Sequence, residues 1–292
     1  MNRIDGKELA NQMERDLKER VGNMNTVPGL GVVLVGDDPA SRLYVDLKEK
    51  SAKEIGISVQ KILLPESASE REVLDTVEAF NRDVSIHGIL VQLPLPDHLN
   101  IDTIIHAIHL KKDVDGFHPE NETRFLAGGG GFFPVFPRAI FELVKFSGES
   151  LAGKCALIFA NSDRFGEVMS KVFERAGISA EYILSDALDN PEVFDQLSRI
   201  DIFVTALGKP GAITMKHVHP GAIIIDGGIS KVGDKVLGDV DAESLENIPG
   251  FLSPVPGGVG PVTIACLLTN VVDAAEGQIA GNSWKQIINN NR

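Results

Sequence analysis

The sequence predicts an α/β fold in two domains, an N-terminal α/β domain and a Rossmann-like, doubly wound parallel-sheet domain, and three observations carry that expectation. Apolar runs of strand length at residues 30–35, 59–64, 88–93, 156–159, 202–207 and 222–225 recur with helical segments between them. Such alternation belongs to parallel sheets covered by helices. Glycine and proline crowd residues 126–137, a break that stops regular elements. The chain has 292 residues, 43% of them hydrophobic, enough for two separate cores.

The break places one domain at residues 1–137 and the second at 138–262. A second break follows at residues 253–261, Ser-Pro-Val-Pro-Gly-Gly-Val-Gly-Pro, and then an apolar helical segment over 264–275. This segment is expected to return to the first domain, which residues 263–292 would complete, with a cleft between the domains. No internal repeat, heptad array or low-complexity segment points to a solenoid or coiled coil.

A formal net charge of -13, from 41 acidic and 28 basic residues, argues against nonspecific binding to nucleic acid or an anionic membrane surface. The two cysteines, Cys155 and Cys266, sit in apolar stretches and read as buried thiols of a reducing compartment. The N-terminus is polar, with helical spacing of Ile4, Leu9, Met13 and Leu17, unlike a signal or transit peptide. No apolar run approaches membrane-spanning length, so the expected location is the cytoplasm.

In the first half, Gly36-Asp37-Asp38-Pro39 closes a strand and opens a helix, with Asp38 placed to cap it and Pro39 suited to its first turn. Tyr44 and Lys48 are four residues apart on that helix and share a face. The next strand run leads into Gln92, at the same sheet edge, where α/β sheets bind ligands. A turn at Lys112-Asp113-Val114-Asp115-Gly116 adds carboxylates. On spacing alone, a solvated lysine, a half-buried tyrosine and ordinary turn-forming acids are the favoured reading, and the residues acquire weight only together. His106, His109, His217 and His219 lack carboxylate or cysteine partners at ligand spacing and read as surface or loop residues, so no metal site is expected.

Four segments together resemble the bifunctional methylenetetrahydrofolate dehydrogenase/cyclohydrolase (FolD) family: residues 44–48 (Tyr-Val-Asp-Leu-Lys), 88–96, 112–117 and 254–261. The resemblance implies a folate-binding catalytic domain in which Lys48 is the catalytic residue, Gln92 hydrogen-bonds it, and Asp115 both holds the pterin and belongs to the catalytic set. It implies that Tyr44 lies against the pterin and p-aminobenzoyl group, and that Pro256, Gly257 and Gly258 let backbone approach the substrate. A partly desolvated lysine can act as acid and base near neutral pH, which the hydrolytic step requires.

In the second half, Lys154 to Phe159 reads as a first Rossmann strand, with a turn at 160–166 and a helix over 166–176. There is no G-x-G-x-x-G. The family pattern is Gly-Arg-Ser followed by Val-Gly-x-Pro, whereas this chain has Ala160-Asn161-Ser162 and Phe165-Gly166-Glu167-Val168. Phe136 stands where the family usually has a small polar residue, close to the expected nicotinamide side. Ser185 and Asp186 follow the next strand, and an acid there favours ribose hydroxyls over a phosphate. Arg164 would compensate only with its side chain turned inward. The cofactor-binding set implied is Asn161, Ser162, Gly166, Ser185, Asp186, Ala206, Gly208 and Ile229, with the later segments 201–210, 225–230 and 238–241 matching the family.

The expected activity is oxidation of 5,10-methylenetetrahydrofolate and hydrolysis of the methenyl product to 10-formyltetrahydrofolate. NADP is the cofactor the family implies, with NAD open because of Asn161 and Asp186. A cyclohydrolase with weakened or lost dehydrogenase activity, and a noncatalytic folate-binding regulatory protein, are the alternatives. The family also implies a homodimer.

Overall fold

The structure, a computed structural model, describes residues 1–186, 197–233 and 235–277. The part of the expected C-terminal segment beyond Gly277 lies outside the described residues. Along the chain run β1 (Asn2–Arg3), α1 (Gly6–Gly22), β2 (Gly29–Val35), α2 (Pro39–Ile55), β3 (Ser58–Leu64), α3 (Glu70–Arg82), β4 (Gly88–Val91), α4 (Ile101–His106) and α5 (Pro119–Ala127). Then come α6 (Val135–Phe146), β5 (Cys155–Ala160), α7 (Asp163–Arg175), β6 (Ser179–Leu184), β7 (Ile202–Ala206), β8 (Ile223–Asp226), β9 (Ser230–Val232), β10 (Lys235–Leu237), β11 (Phe251–Ser253) and α8 (Val259–Ala275). Two compact units result, one of Gln12–Val135 and the chain from Ile264 on, the other of Met1–Asn11 and Phe136–Thr263.

The first unit carries a three-stranded parallel sheet in the order β3-β2-β4. Every residue of the central strand β2 is buried, as expected of a parallel strand covered on both faces. Its Val33 belongs to a core with Val73, Val77 and Phe80 of α3, Ile89 of β4 and Ile104 of α4. Gly31 is needed where α3 crosses, because a Cβ there would stand 2.8 Å from the Phe80 ring.

Local chemistry sets the helix ends. Asp38 caps α2 by accepting from Ser41 N at 2.7 Å, Pro39 opens its first turn, and Gly56 ends it at φ 101°. Ser69 and Glu72 form a reciprocal capping box on α3. At the other end of α3, Lys112 Nζ donates to the carbonyls of Phe80, Asn81 and Asp83 at 2.9, 2.9 and 2.7 Å.

Helix α8 is part of this unit from Ile264 on, and Leu267, Leu268, Val271 and Val272 along it are fully buried. Asn270 donates from Nδ2 to the carbonyls of Val114 (2.7 Å) and Phe133 (3.1 Å), while Arg20 of α1 pairs with Asp273 and Glu276 at 2.8 and 2.9 Å. A Cβ on Gly88 would meet Val114 at 2.6 Å and Val271 at 3.1 Å, so glycine lets β4 pass close under the helix.

The second unit holds a six-stranded sheet in the order β1-β11-β8-β7-β5-β6, parallel at every pairing. Strand β5 has its chain successor β6 on one side and β7 on the other, the reversal at which doubly wound sheets open a ligand crevice. Phe159 of β5 and Phe203 of β7 stack at 6.2 Å within the core.

Several boundaries differ from the sequence reading. Helix α7 starts at Asp163, not Gly166, because Ser162 rather than a later residue supplies the cap. Strand β4 ends at Val91 and β7 at Ala206, leaving Gln92 and Leu207 in the loops beyond. Cys155, at the first position of β5, is only half-buried, whereas Cys266 is buried. His217 is buried rather than a surface residue, with Nδ1 accepting from Thr214 N at 2.9 Å.

Candidate functional site

Helix α2 begins just beyond β2, and its second and third turns carry Tyr44 and Lys48. Both are half-buried. Gln92 leaves the end of the neighbouring β4 with its backbone N–H bonded to Val33 O at 2.9 Å, which holds it beside β2. There the Lys48 ammonium donates to Gln92 Oε1 at 2.9 Å. The Gln92 amide nitrogen donates in turn to Leu93 O at 2.5 Å, which fixes the oxygen as the face toward the lysine. The Leu93–Pro94 bond that follows is cis.

Burial pushes the Lys48 amine below its ordinary value, and the nearby Asp115 carboxylate opposes that shift. Asp115 is pushed up by desolvation, partly offset by Lys48. Each charge is the other's compensation inside this unit. A neutral amide as the hydrogen-bond partner of Lys48 orients the amine without adding a charge that would raise its pKa.

Asp115 is placed by its neighbours. Asp113 is buried and accepts from Phe117 N (3.1 Å), His118 N (2.9 Å) and Asn121 Nδ2 (2.9 Å), tying the 113–118 turn into a rigid loop. Burial raises Asp113 to about 6, against those three donors. Gly116, at φ 78°, has Pro134 so close that a Cβ would stand 2.9 Å from its Cα. Asp113 is thus a framework residue of the loop, and Asp115 is its half-buried carboxylate near Lys48.

In the other unit, Pro256 is exposed and follows a cis Val255–Pro256 bond, and Gly257 has φ 101°. Gly257 and Gly258 are buried, and a Cβ on Gly6 would reach within 1.9 Å of Gly258 O. Close backbone packing with residues 6 and 254 is therefore one reason for glycine here.

At the C-terminal edge of β5, Asn161 and Ser162 are exposed, Ser162 donating to Asn161 Oδ1 at 3.1 Å. Gly166 lies in the first turn of α7 against Tyr182 of β6; a Cβ would fall 2.4 Å from that ring, so glycine allows the helix to lie on the strand. Tyr182 donates to Asp163 at 3.1 Å. Phe136 packs against Phe165 at 5.3 Å, and a Cβ on Gly227 would meet its ring at 2.9 Å. Half-buried Ser185 and exposed Asp186 lie just past β6, buried Ala206 ends β7, Gly208 turns the loop beyond at φ 67°, and Ile229 is 49% exposed after β8.

Sequence reasoning missed the two carboxylates that shape these loops. Asp239, with no exposed surface, accepts from Thr205 Oγ1, from Leu207 N at 2.6 Å and from Lys209 N at 2.8 Å. Asp226 accepts from Gly228 N, Asp239 N and Val240 N, all at 3.0 Å, and burial raises it to about 6. Their signal in the sequence is the adjacent glycine: a Cβ on Gly228 would meet the Asp239 carboxyl at 2.2 Å, and one on Gly238 the Asp226 oxygen at 2.0 Å. A dinucleotide fits the donor set of this edge, with α7 starting beyond β5, glycine at 208 and the cation Lys209 beside it.

Among the described residues no group of three or more His, Cys, Asp or Glu side chains is arranged to hold a metal ion. Among them, no helix is long and apolar enough to cross a membrane.

Residues 4–115 match the model of the tetrahydrofolate dehydrogenase/cyclohydrolase catalytic domain, and residues 134–279 that of the corresponding NAD(P)-binding domain. The bifunctional protein FolD of an Exiguobacterium species is 42% identical over 275 residues, 93% of this chain and 98% of that one. That of Bordetella bronchiseptica is 42% identical over 277 residues, 94% and 97% of the two chains. Among solved structures, the bifunctional FolD enzyme of Campylobacter jejuni superposes with a TM-score of 0.88 at 36% identity, covering 95% of this chain and 99% of that one. The Trypanosoma brucei enzyme, complexed with NADP cofactor and inhibitor, gives 0.86 at 27% identity over 94% and 97%. With both halves matched in order and relatives alike over nearly their whole length, the chain belongs to the tetrahydrofolate dehydrogenase/cyclohydrolase family.

Proposed function

We propose that this chain oxidises 5,10-methylenetetrahydrofolate to the methenyl form with NADP and hydrolyses that product to 10-formyltetrahydrofolate, in the cytoplasm and as a homodimer. The observation that carries the proposal is the Lys48–Gln92 hydrogen bond, with the lysine's proton affinity lowered by burial. The similar Campylobacter jejuni enzyme, named for both activities, supports the same reading.

Lys48 is the acid and base of the hydrolytic step. Its neutral amine takes a proton from the water that attacks the methenyl carbon and returns one to N5 as the carbon–N5 bond opens. The carbinol hydroxyl proton leaves to solvent. Gln92 holds the amine through Oε1, and Asp115 accepts from the pterin amino and ring N–H groups while moderating the lysine. Tyr44, one turn before Lys48, supplies an apolar face for the ring system. Pro256, Gly257 and Gly258 are the remaining substrate-binding positions. The folate-binding domain in this reading is residues 1–137 with 263–292, and the dinucleotide domain 138–262.

NADP supplies the hydride acceptor when bound. Asn161, Ser162, Gly166, Ser185, Asp186, Ala206, Gly208 and Ile229 hold it, the loops shaped by Asp226 and Asp239. A second reading, a cyclohydrolase with weakened dehydrogenase activity, is favoured by Phe136 packed against Phe165 and Gly227 at this sheet edge.

The test is purified protein with methylenetetrahydrofolate and NADP or NAD, following reduced nicotinamide by absorbance, with methenyltetrahydrofolate decay measured separately. Hydride transfer and hydrolysis are both expected. Hydrolysis alone selects the second reading, and absence of both leaves a folate-binding protein.

A further inference from the structure

The residues just beyond the second strand of a doubly wound sheet meet the ribose of a bound dinucleotide. In this chain they are Ser185 and Asp186, and Asp163, in the first turn of α7, accepts from the hydroxyl of Tyr182 on the same strand. Two carboxylates at that edge suit the hydroxyls of an unphosphorylated ribose and repel a 2′-phosphate. A chain of this kind discriminates for the phosphate only if a cation reaches the same place.

One does, from a different loop. Lys209, in the turn after β7, extends across to the end of β6 and donates from Nζ to Ser185 O at 3.1 Å. Its backbone is anchored, because Lys209 N and Leu207 N both donate to the buried Asp239 carboxylate. The ammonium is exposed, and among the described residues no carboxylate lies within ion-pair distance of it. An anchored base held at the end of β6, bonded among the described residues only to a neutral carbonyl, is what a phosphate needs. A carbonyl is a replaceable partner for an ammonium, and a phosphate dianion is a stronger one.

We propose that Lys209 is the specificity-determining residue that receives the 2′-phosphate of NADP, exchanging the Ser185 carbonyl for phosphate oxygens and offsetting Asp163 and Asp186. This rests on the dinucleotide-binding half of the function proposed above.

Isothermal titration of the full chain with NADP and with NAD tests it directly, without reliance on turnover. Lys209→Gln is expected to raise the Kd for NADP about tenfold, equivalent to about 1.4 kcal/mol, and to change that for NAD less than about twofold. Lys209→Arg, which keeps the charge, is expected to retain most of the NADP preference. A circular dichroism melt of each variant establishes that it is folded. An unchanged NADP-to-NAD ratio in folded Lys209→Gln overturns the inference alone, as does an equal loss for both dinucleotides. A fall in the ratio on Arg164→Gln with none on Lys209→Gln overturns it in favour of the α7 turn. Wild-type protein that binds neither dinucleotide overturns both this inference and the dehydrogenase reading.

Discussion

Gln92 presents its amide oxygen, not its nitrogen, to the Lys48 ammonium at 2.9 Å, because the nitrogen is spent on Leu93 O. The arrangement gives the lysine a fixed direction while leaving its charge state to burial and to Asp115. A carboxylate at position 92 would have oriented the amine equally well and kept it protonated.

Lys48→Ala is therefore expected to lower the cyclohydrolase rate by about 10²–10⁴, the usual contribution of a positioned acid or base. Lys48→Arg should fare little better, since a guanidinium stays protonated. The decay of methenyltetrahydrofolate absorbance measures both, and an unchanged rate in Lys48→Ala would remove the lysine from the mechanism.

The pH profile carries the sign of the shift. The step that needs the neutral amine speeds up with rising pH and levels off above the Lys48 pKa, which burial places below that of a free lysine. Gln92→Glu adds a negative charge next to the amine, stabilises its protonated form and should move the rising limb to higher pH. A limb that stays in place, or moves to lower pH, contradicts the assignment.

Asp113 couples folding to acidity. Its folded pKa of about 6 lies above the unfolded value, so between roughly pH 4 and 6 the folded chain binds more protons. Its contribution to stability is fully present below the unfolded pKa and is lost as pH rises through about 6. In Asp113→Asn that loss should vanish, so urea midpoints collected from pH 4.5 to 6.5 should climb more steeply, or fall less, than in wild type.

Lys112 is expected to matter for stability more than an ordinary lysine. Lys112→Met removes the ammonium donor from the carbonyls of Phe80, Asn81 and Asp83 at the end of α3, of which Asp83 O keeps the Ile86 N–H. A loss of about 2–3 kcal/mol follows from hydrogen bonds to a charged group, readable as a shift in the denaturant midpoint.

Gly166→Ala tests the contact between α7 and β6. The new methyl would fall on the Tyr182 ring, and relief of that overlap should cost about 1–3 kcal/mol and displace the start of α7. Weaker dinucleotide binding, with methenyltetrahydrofolate hydrolysis retained, is the expected result in calorimetry and rate assays run side by side.

What could be read from the sequence was whatever local spacing encodes. Asp38 and Pro39 announced the start of α2, four-residue spacing put Tyr44 and Lys48 on one face, and an apolar run brought Gln92 to its strand end. The short strands were not legible: β1 is two residues long and finds its register against Phe251 and Leu252, about 250 positions away, with no periodicity to mark it. Asp226 and Asp239 were hidden for a similar reason, since their partners are backbone N–H groups that any sequence provides. His217 does lie in a loop, but its burial was not legible, because a single turn back to Thr214 suffices to satisfy the imidazole.

The two compact units are each assembled from separated stretches of chain, and this bears on how the protein can be made. On the ribosome, residues 12–135 emerge long before the α8 residues whose Asn270 side chain ties Val114 to Phe133, so the earlier stretch must wait with that surface uncovered. Likewise β1 is synthesised first and docks almost last, once β11 has appeared. Dividing the gene at the glycine-rich break near residue 130 would hand each product a foreign end and deprive it of its own. Independent expression of the halves is thus a poor route to either activity.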